Sequence, residues 1–141
     1  MKNIYEVFDE FEIAPSKQER MKVIEKNLSP TLVRVFELAY HPGYEWLITE
    51  MPDNYKVPTD ILPGIAPQQL STQIRKLYLF QKGNPSAEVL TPEKRKQLLL
   101  QMLESMEPRE AEVVIGIFSK DLGVKGLNYK FVKEAFPNLL P

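Results

Sequence analysis

The chain has 141 residues, of which 43% are hydrophobic, enough for one domain with a core of its own. Charged residues make up 26% and the formal net charge is −1, so any affinity for nucleic acid must come from a local patch and not from bulk charge. The absence of cysteine excludes disulfides, zinc-thiolate sites and thiol catalysis and fits a reducing cytoplasm; no apolar run approaches the ~18 residues of a membrane span, and Met1-Lys2-Asn3-Ile4-Tyr5-Glu6 is no signal peptide.

Prolines and polar caps punctuate a series of helical patterns. Ile4, Phe8 and Phe11, with Val7 beside them, predict a short amphipathic helix over 3–13. Ser16-Lys17-Gln18-Glu19 is a capping box that opens a helix to about Asn27. Ser29-Pro30 opens another, with serine as cap and proline where no N–H is needed. Leu32, Val35, Phe36, Ala39 and Tyr40 form its apolar face, and His41-Pro42-Gly43 stops it. Residues 51–67 carry Pro52, Pro58, Pro63, Gly64 and Pro67, which predict an extended loop. A helix from Gln68 to Gln81 follows, ended by Lys82-Gly83-Asn84-Pro85. Thr91-Pro92-Glu93 starts the next, to about Ser105, and Pro108 starts one to about Ser119, with Val113, Val114, Ile117 and Phe118 as core. Asn128 reads as the cap of a last helix, Tyr129 to Phe136, closed by Pro137. The fold class is therefore all-α: a single domain over 1–141, a compact bundle of about six or seven helices with no strand.

A weak internal repeat runs through the pattern. Val35, Phe36, Ala39 and Tyr40 match Val113, Val114, Ile117 and Phe118, and each helix is followed by a glycine, Gly43 or Gly123. Two similar helical hairpins about a pseudo-two-fold axis are the expected arrangement.

Catalytic templates are missing. His41 is the sole histidine and lies at a helix end before a proline, a place for a cap more than for a general base. Neither a Walker-type phosphate loop nor G-x-G-x-x-G occurs. The acidic run Asp9, Glu10, Glu12 reads as a solvated face. No catalytic residue, cofactor or metal ligand is expected. Basic residues gather near helix starts and turns: Lys17, Arg20, Lys22 and Lys26; Arg75, Lys76 and Lys82; Lys94, Arg95 and Lys96; and Lys120, Lys125, Lys130 and Lys133. Helix N-termini with free N–H groups suit phosphate, while solvated lysines on any helical domain are the ordinary alternative.

The stretch Ser16-Lys17-Gln18 to Ile24-Glu25-Lys26-Asn27, then Leu32-Val33-Arg34-Val35-Phe36 with Tyr40, resembles the opening hairpin of a T-even-type phage ATP-dependent DNA ligase. Lys120-Asp121-Leu122, a glycine turn and a short helix ending Phe136-Pro137-Asn138-Leu139-Leu140-Pro141 resemble the end of the same ligases' N-terminal DNA-binding domain. The resemblance follows the order of elements along nearly the whole chain and is loose from about Glu50 to Leu90. It implies an all-helical domain of two similar halves lying across the minor groove and holding duplex DNA by phosphates and sugars, independent of sequence. Carried over, it implicates Lys17 and the turn Lys120, Asp121, Leu122 and Gly123, with Lys125 and Asn128 added by extension along that turn. The ligase motif Lys-x-Asp-Gly is missing, so no ligation is expected of this chain. His41-Pro42-Gly43 stands where the phage ligase has a basic residue, which removes a charge and a donor N–H.

The resulting expectation is a non-catalytic, monomeric phage protein of the host cytoplasm that binds duplex or nicked DNA in replication or repair. The alternative is an interaction module of the same fold that binds a replication protein such as a sliding clamp, a polymerase or a separate ligase core. A fragment of a larger enzyme ranks third, because Met1 and Pro141 read as natural ends. Replacing Lys120 and Lys125 by glutamine is expected to leave stability almost unchanged.

Overall fold

Polar side chains start most of the helices. In a computed structural model that describes residues 2–48 and 69–141, Ser16 Oγ accepts from Glu19 N and opens α2 (Lys17–Lys26), after α1 (Ile4–Ile13). Ser29 Oγ accepts from Leu32 N and opens α3 (Pro30–Tyr40). The expected proline-rich loop at 51–67 lies outside the described residues. After α4 (Leu70–Gln73), a 3-10 helix (Ile74–Phe80) and α5 (Pro85–Glu88), Thr91 Oγ1 caps α6 (Pro92–Glu104). Glu107 caps α7 (Pro108–Ser119) by accepting from Arg109 N and Glu110 N, and Asn128 Oδ1 accepts from Phe131 N to open α8 (Tyr129–Ala135). These side chains take backbone N–H groups that have no partner inside the helix.

The described residues thus form an all-α domain. Two elements differ from the sequence reading. The single helix expected over 68–81 is one α-turn followed by a 3-10 helix. Its buried positions Leu70, Ile74, Leu77 and Phe80 are spaced by four and then by three, and three residues per turn is the period that keeps Ile74, Leu77 and Phe80 on one face. Asn84-Pro85, read as a stop, is also a start: Asn84 Oδ1 accepts from Ser86 N and Pro85 opens the short α5. Among the described residues β-structure is limited to one bridge, Trp46 with Gln81, flanked by Leu47 N to Phe80 O at 2.7 Å and Lys82 N to Glu45 O at 2.8 Å.

α3 and α7, the two helices of the matched apolar pattern, pack on each other at the centre, with α1 and α6 also against α7. Phe36, Tyr40, Ile117 and Phe118 are all buried in one core. Phe8 and Phe136 lie beside Phe36, and Phe80 and Trp46 meet Phe118 edge-on at 5.4 and 5.1 Å between ring centres. Gly116 sits within α7 where the chain doubles back: a Cβ there would stand 3.0 Å from Leu122 Cα, so no larger residue fits without movement.

A candidate nucleic-acid interface

The turns that end α3 and α7 share one kind of hydrogen bond but differ in backbone: His41 is extended, whereas Lys120 and Gly123 are left-handed. After α3, Gly43 N–H donates to His41 Nδ1 at 2.9 Å; after α7, Gly123 N–H donates to Asp121 Oδ1 at 2.9 Å. In each, an acceptor side chain takes the N–H of a glycine two residues on, a local turn that competes with further helix. Each helix end also reaches into the segment after the other. Tyr40 Oη donates to Leu127 O at 3.3 Å, and Lys120 Nζ donates to Leu38 O at 3.1 Å, His41 O at 2.8 Å and Tyr44 O at 3.1 Å. Burial pushes the Tyr40 hydroxyl up to about 12 and keeps it protonated as a donor.

Lys120 therefore has a different place from the one expected for it. Its backbone is left-handed, with φ 59°, which turns the side chain back across α7 to the end of α3. There the ammonium binds the Leu38 carbonyl, left without its helical partner because Pro42 has no N–H, and the carbonyls of His41 and Tyr44 in the turn that follows, near the negative end of the helix dipole. Burial pushes the Lys120 ammonium below the ordinary lysine value, and the charge of Glu45 opposes this. The view of Lys120 as a solvated lysine is corrected by these bonds, and a shorter, uncharged glutamine is expected to lose them.

Nor does the turn from Lys120 to Asn128 present a row of free N–H groups. Lys120 N donates to Ile117 O, Asp121 N to Gly116 O and Leu127 N to Val124 O. Gly123 N is held by Asp121, and Lys125 N donates to Glu12 Oε1 at 3.0 Å. Leu122 is half-buried over Gly116, and Asn128 caps α8. Asp121, Leu122, Gly123 and Asn128 thus shape the turn.

Several basic side chains lie near α8 and the turn before it. Lys17, in the first turn of α2, forms an exposed ion pair with Glu134 at the end of α8. Lys130 also acts on Glu134, which these cations hold below the usual carboxylate range, the hydrogen bond from Lys17 contributing most. Arg20, one turn along α2, lies over the Phe11 ring at 5.7 Å and against Gly126, where a Cβ would fall 2.7 Å from its Nη1. Lys125 stands beside Gly126 and is exposed. The structure therefore places Lys17 and Lys130 about Glu134 and Arg20 against Gly126, next in the chain to Lys125, whereas Lys120 points inward. Arg20 and Lys130 were visible in the sequence as basic residues, but only the approach of α2 to the 123–128 turn joins them to the others. Among the described residues no group of three or more His, Cys, Asp or Glu side chains is placed to hold a metal ion, and no helix is long and apolar enough to cross a membrane.

The model of a protein family matches residues 7–124, a span that runs from α1 through both matched helices to the glycine turn. The chain belongs to that family, a family of unknown function (DUF6433). No curated protein matches it.

Proposed function

We propose that this chain is a non-catalytic DNA-binding domain of the phage-ligase N-terminal type, which holds duplex or nicked DNA across the minor groove by its phosphates during replication or repair. The observation that carries this reading is the packing of α3 on α7, the two helices of the matched pattern, together with Lys17 and Lys130 about Glu134 and Arg20 against Gly126, the chain neighbour of Lys125. The two halves related by a pseudo-two-fold axis are part of the same reading. Lysines and arginine on helix starts and turns meet phosphates without reading bases, so binding is independent of sequence. Glu134, Glu12 and Asp121 share the face, so few net contacts form and the salt dependence is shallow.

Electrophoretic titration of nicked, intact and single-stranded DNA over a salt series tests this. The triple variant Lys17→Gln, Lys125→Gln, Lys130→Gln replaces exposed side chains and leaves caps and core in place. It is expected to bind every duplex sequence more weakly by a similar factor, with the slope of log affinity on log salt flattened by roughly 0.9 per lost phosphate contact. A wild type that binds no duplex, or a triple variant that binds as well at every salt concentration, refutes the proposal and leaves the interaction module as the better reading.

A further inference from the structure

Lys120 Nζ meets the carbonyl oxygens of Leu38, His41 and Tyr44 at 3.1, 2.8 and 3.1 Å, one acceptor for each proton of an ammonium. All three oxygens belong to one short run of chain at the end of α3, while the lysine comes from the end of α7.

This run is held in shape by bonds in which Lys120 takes no part. Pro42 has no N–H and leaves the Leu38 carbonyl open. Tyr44 N–H donates to His41 O at 3.1 Å and Gly43 N–H to His41 Nδ1 at 2.9 Å, which closes the turn. The Tyr44 hydroxyl accepts from Arg34 at 3.0 Å, and the Tyr44 ring stacks on Trp46. The next carbonyl, that of Glu45, accepts from Lys82 N–H at 2.8 Å. These bonds fix the directions of the three oxygens independently of the lysine.

The donor set also selects its occupant. It consists of neutral backbone oxygens, and Glu45, whose charge acts on Lys120, pairs its carboxylate with Lys82 at 3.7 Å. A primary ammonium offers one N–H to each oxygen. A quaternary ammonium has none to give, and a planar guanidinium spreads its donors over a fork. Three oxygens are too few to replace the hydration shell of a metal ion. Lys120 is half-buried, so the cradle borders on solvent.

We infer that the carbonyls of Leu38, His41 and Tyr44 form a preformed site for a primary ammonium ion, which this chain fills with its own lysine and which accepts a free alkylammonium when that side chain is cut back. This goes beyond a clamping role for Lys120: a clamp needs only the tethered contact, whereas a preformed site also binds an ion that is not tethered. It stands apart from the duplex reading, because no nucleic acid enters it.

Lys120→Ala has the same left-handed backbone cost and vacates the space of a propylammonium ion. With n-propylammonium chloride at about 0.1 M, this variant is expected to regain roughly a third or more of the Tm it loses, beyond an equal concentration of sodium chloride, because an ion that binds only the folded state stabilises it. Trp46, the one tryptophan of the chain, stacks on Tyr44, and its emission is expected to return saturably toward that of the wild type. Lys120→Met, whose side chain fills the vacated space, is expected to gain nothing beyond the salt control, and tetramethylammonium is expected to leave Lys120→Ala unchanged. A measurement on the wild type holds even where Lys120→Ala does not fold: the nitrogen–proton NMR signal of the Lys120 ammonium is expected to persist at neutral pH, where solvated lysines exchange their protons too fast to be seen. No gain in Lys120→Ala over sodium chloride, an equal gain in Lys120→Met, an equal gain from tetramethylammonium or potassium chloride, or absence of the wild-type ammonium signal would each overturn the inference.

Discussion

Lys120→Met is the perturbation that most directly tests how the two central helices are held together. Methionine keeps most of the aliphatic stem and the same left-handed backbone cost, and removes only the ammonium. The wild-type ammonium donates to the carbonyls of Leu38, His41 and Tyr44 at 3.1, 2.8 and 3.1 Å. A hydrogen bond to a charged group contributes about 1.5–3 kcal/mol. The three share one cation and are not additive, and the desolvation that pushes the Lys120 ammonium down offsets part of the gain. A net loss of about 2–3 kcal/mol follows. With an unfolding entropy of about 2.1 cal/mol/K per residue, a chain of 141 residues loses roughly 3–4 °C in Tm per kcal/mol, so a fall of about 7–10 °C is expected. Thermal unfolding by circular dichroism at neutral pH measures it, with Lys125→Gln as a control expected to stay within about 0.5 kcal/mol of wild type. A fall of less than about 2 °C for Lys120→Met would mean that water satisfies those carbonyls equally well and that the lysine is not a structural clamp.

Phe118→Ala removes a ring that is 6% exposed and touches Trp46 and Phe80, and is expected to cost about 3–5 kcal/mol in a denaturant titration. An unchanged midpoint would show that the ring lies outside the cooperative core. Glu110 is 8% exposed and accepts from the backbone of Leu70; burial, with the charge of Glu107 adding to it, raises its carboxyl above the ordinary value of 4.5. The folded state then holds this proton more tightly than the unfolded chain, so the group's contribution to stability is greatest below the unfolded value and declines as pH rises through the folded one. Glu110→Gln keeps an acceptor without the charge, and is expected to exceed wild type at pH 7.5 by up to about 1 kcal/mol, with the difference vanishing near pH 4. Asp9, held low by its hydrogen bonds from Arg109, and Glu10, held at about 2 by Lys2 and Lys26, lose their stabilisation toward acid in both proteins and cancel from the comparison. A variant less stable than wild type at pH 7.5 would refute the burial argument.

Local chemistry was legible in the chain. The caps Ser16, Ser29, Thr91 and Asn128 stand at helix starts, because a cap needs only a side-chain oxygen and an N–H two or three residues away. The buried set Phe36, Tyr40, Ile117 and Phe118 was legible for a similar reason, since a helix presents residues three and four apart on one side. The 3-10 helix was only half legible: spacings of three and four both fit an α-helix, and packing of Ile74, Leu77 and Phe80 selects the tighter winding.

The roles of the candidate site residues were decided at longer range. Lys17 and Lys120 are both lysines beside a helix end, and nothing local separates them. Lys17 stays on the surface with Glu134, while Lys120 turns inward to carbonyls 76 to 82 residues away in sequence. The N–H of Lys125 is likewise taken by Glu12, 113 residues away. The sequence by itself determined most of the helical segments, where most of them start and which faces they bury, because those properties follow from neighbours within one or two turns. Only the tertiary structure decided which cations remain available to a partner, since a side chain's freedom depends on every carbonyl and carboxylate that folding brings within about 3 Å of it.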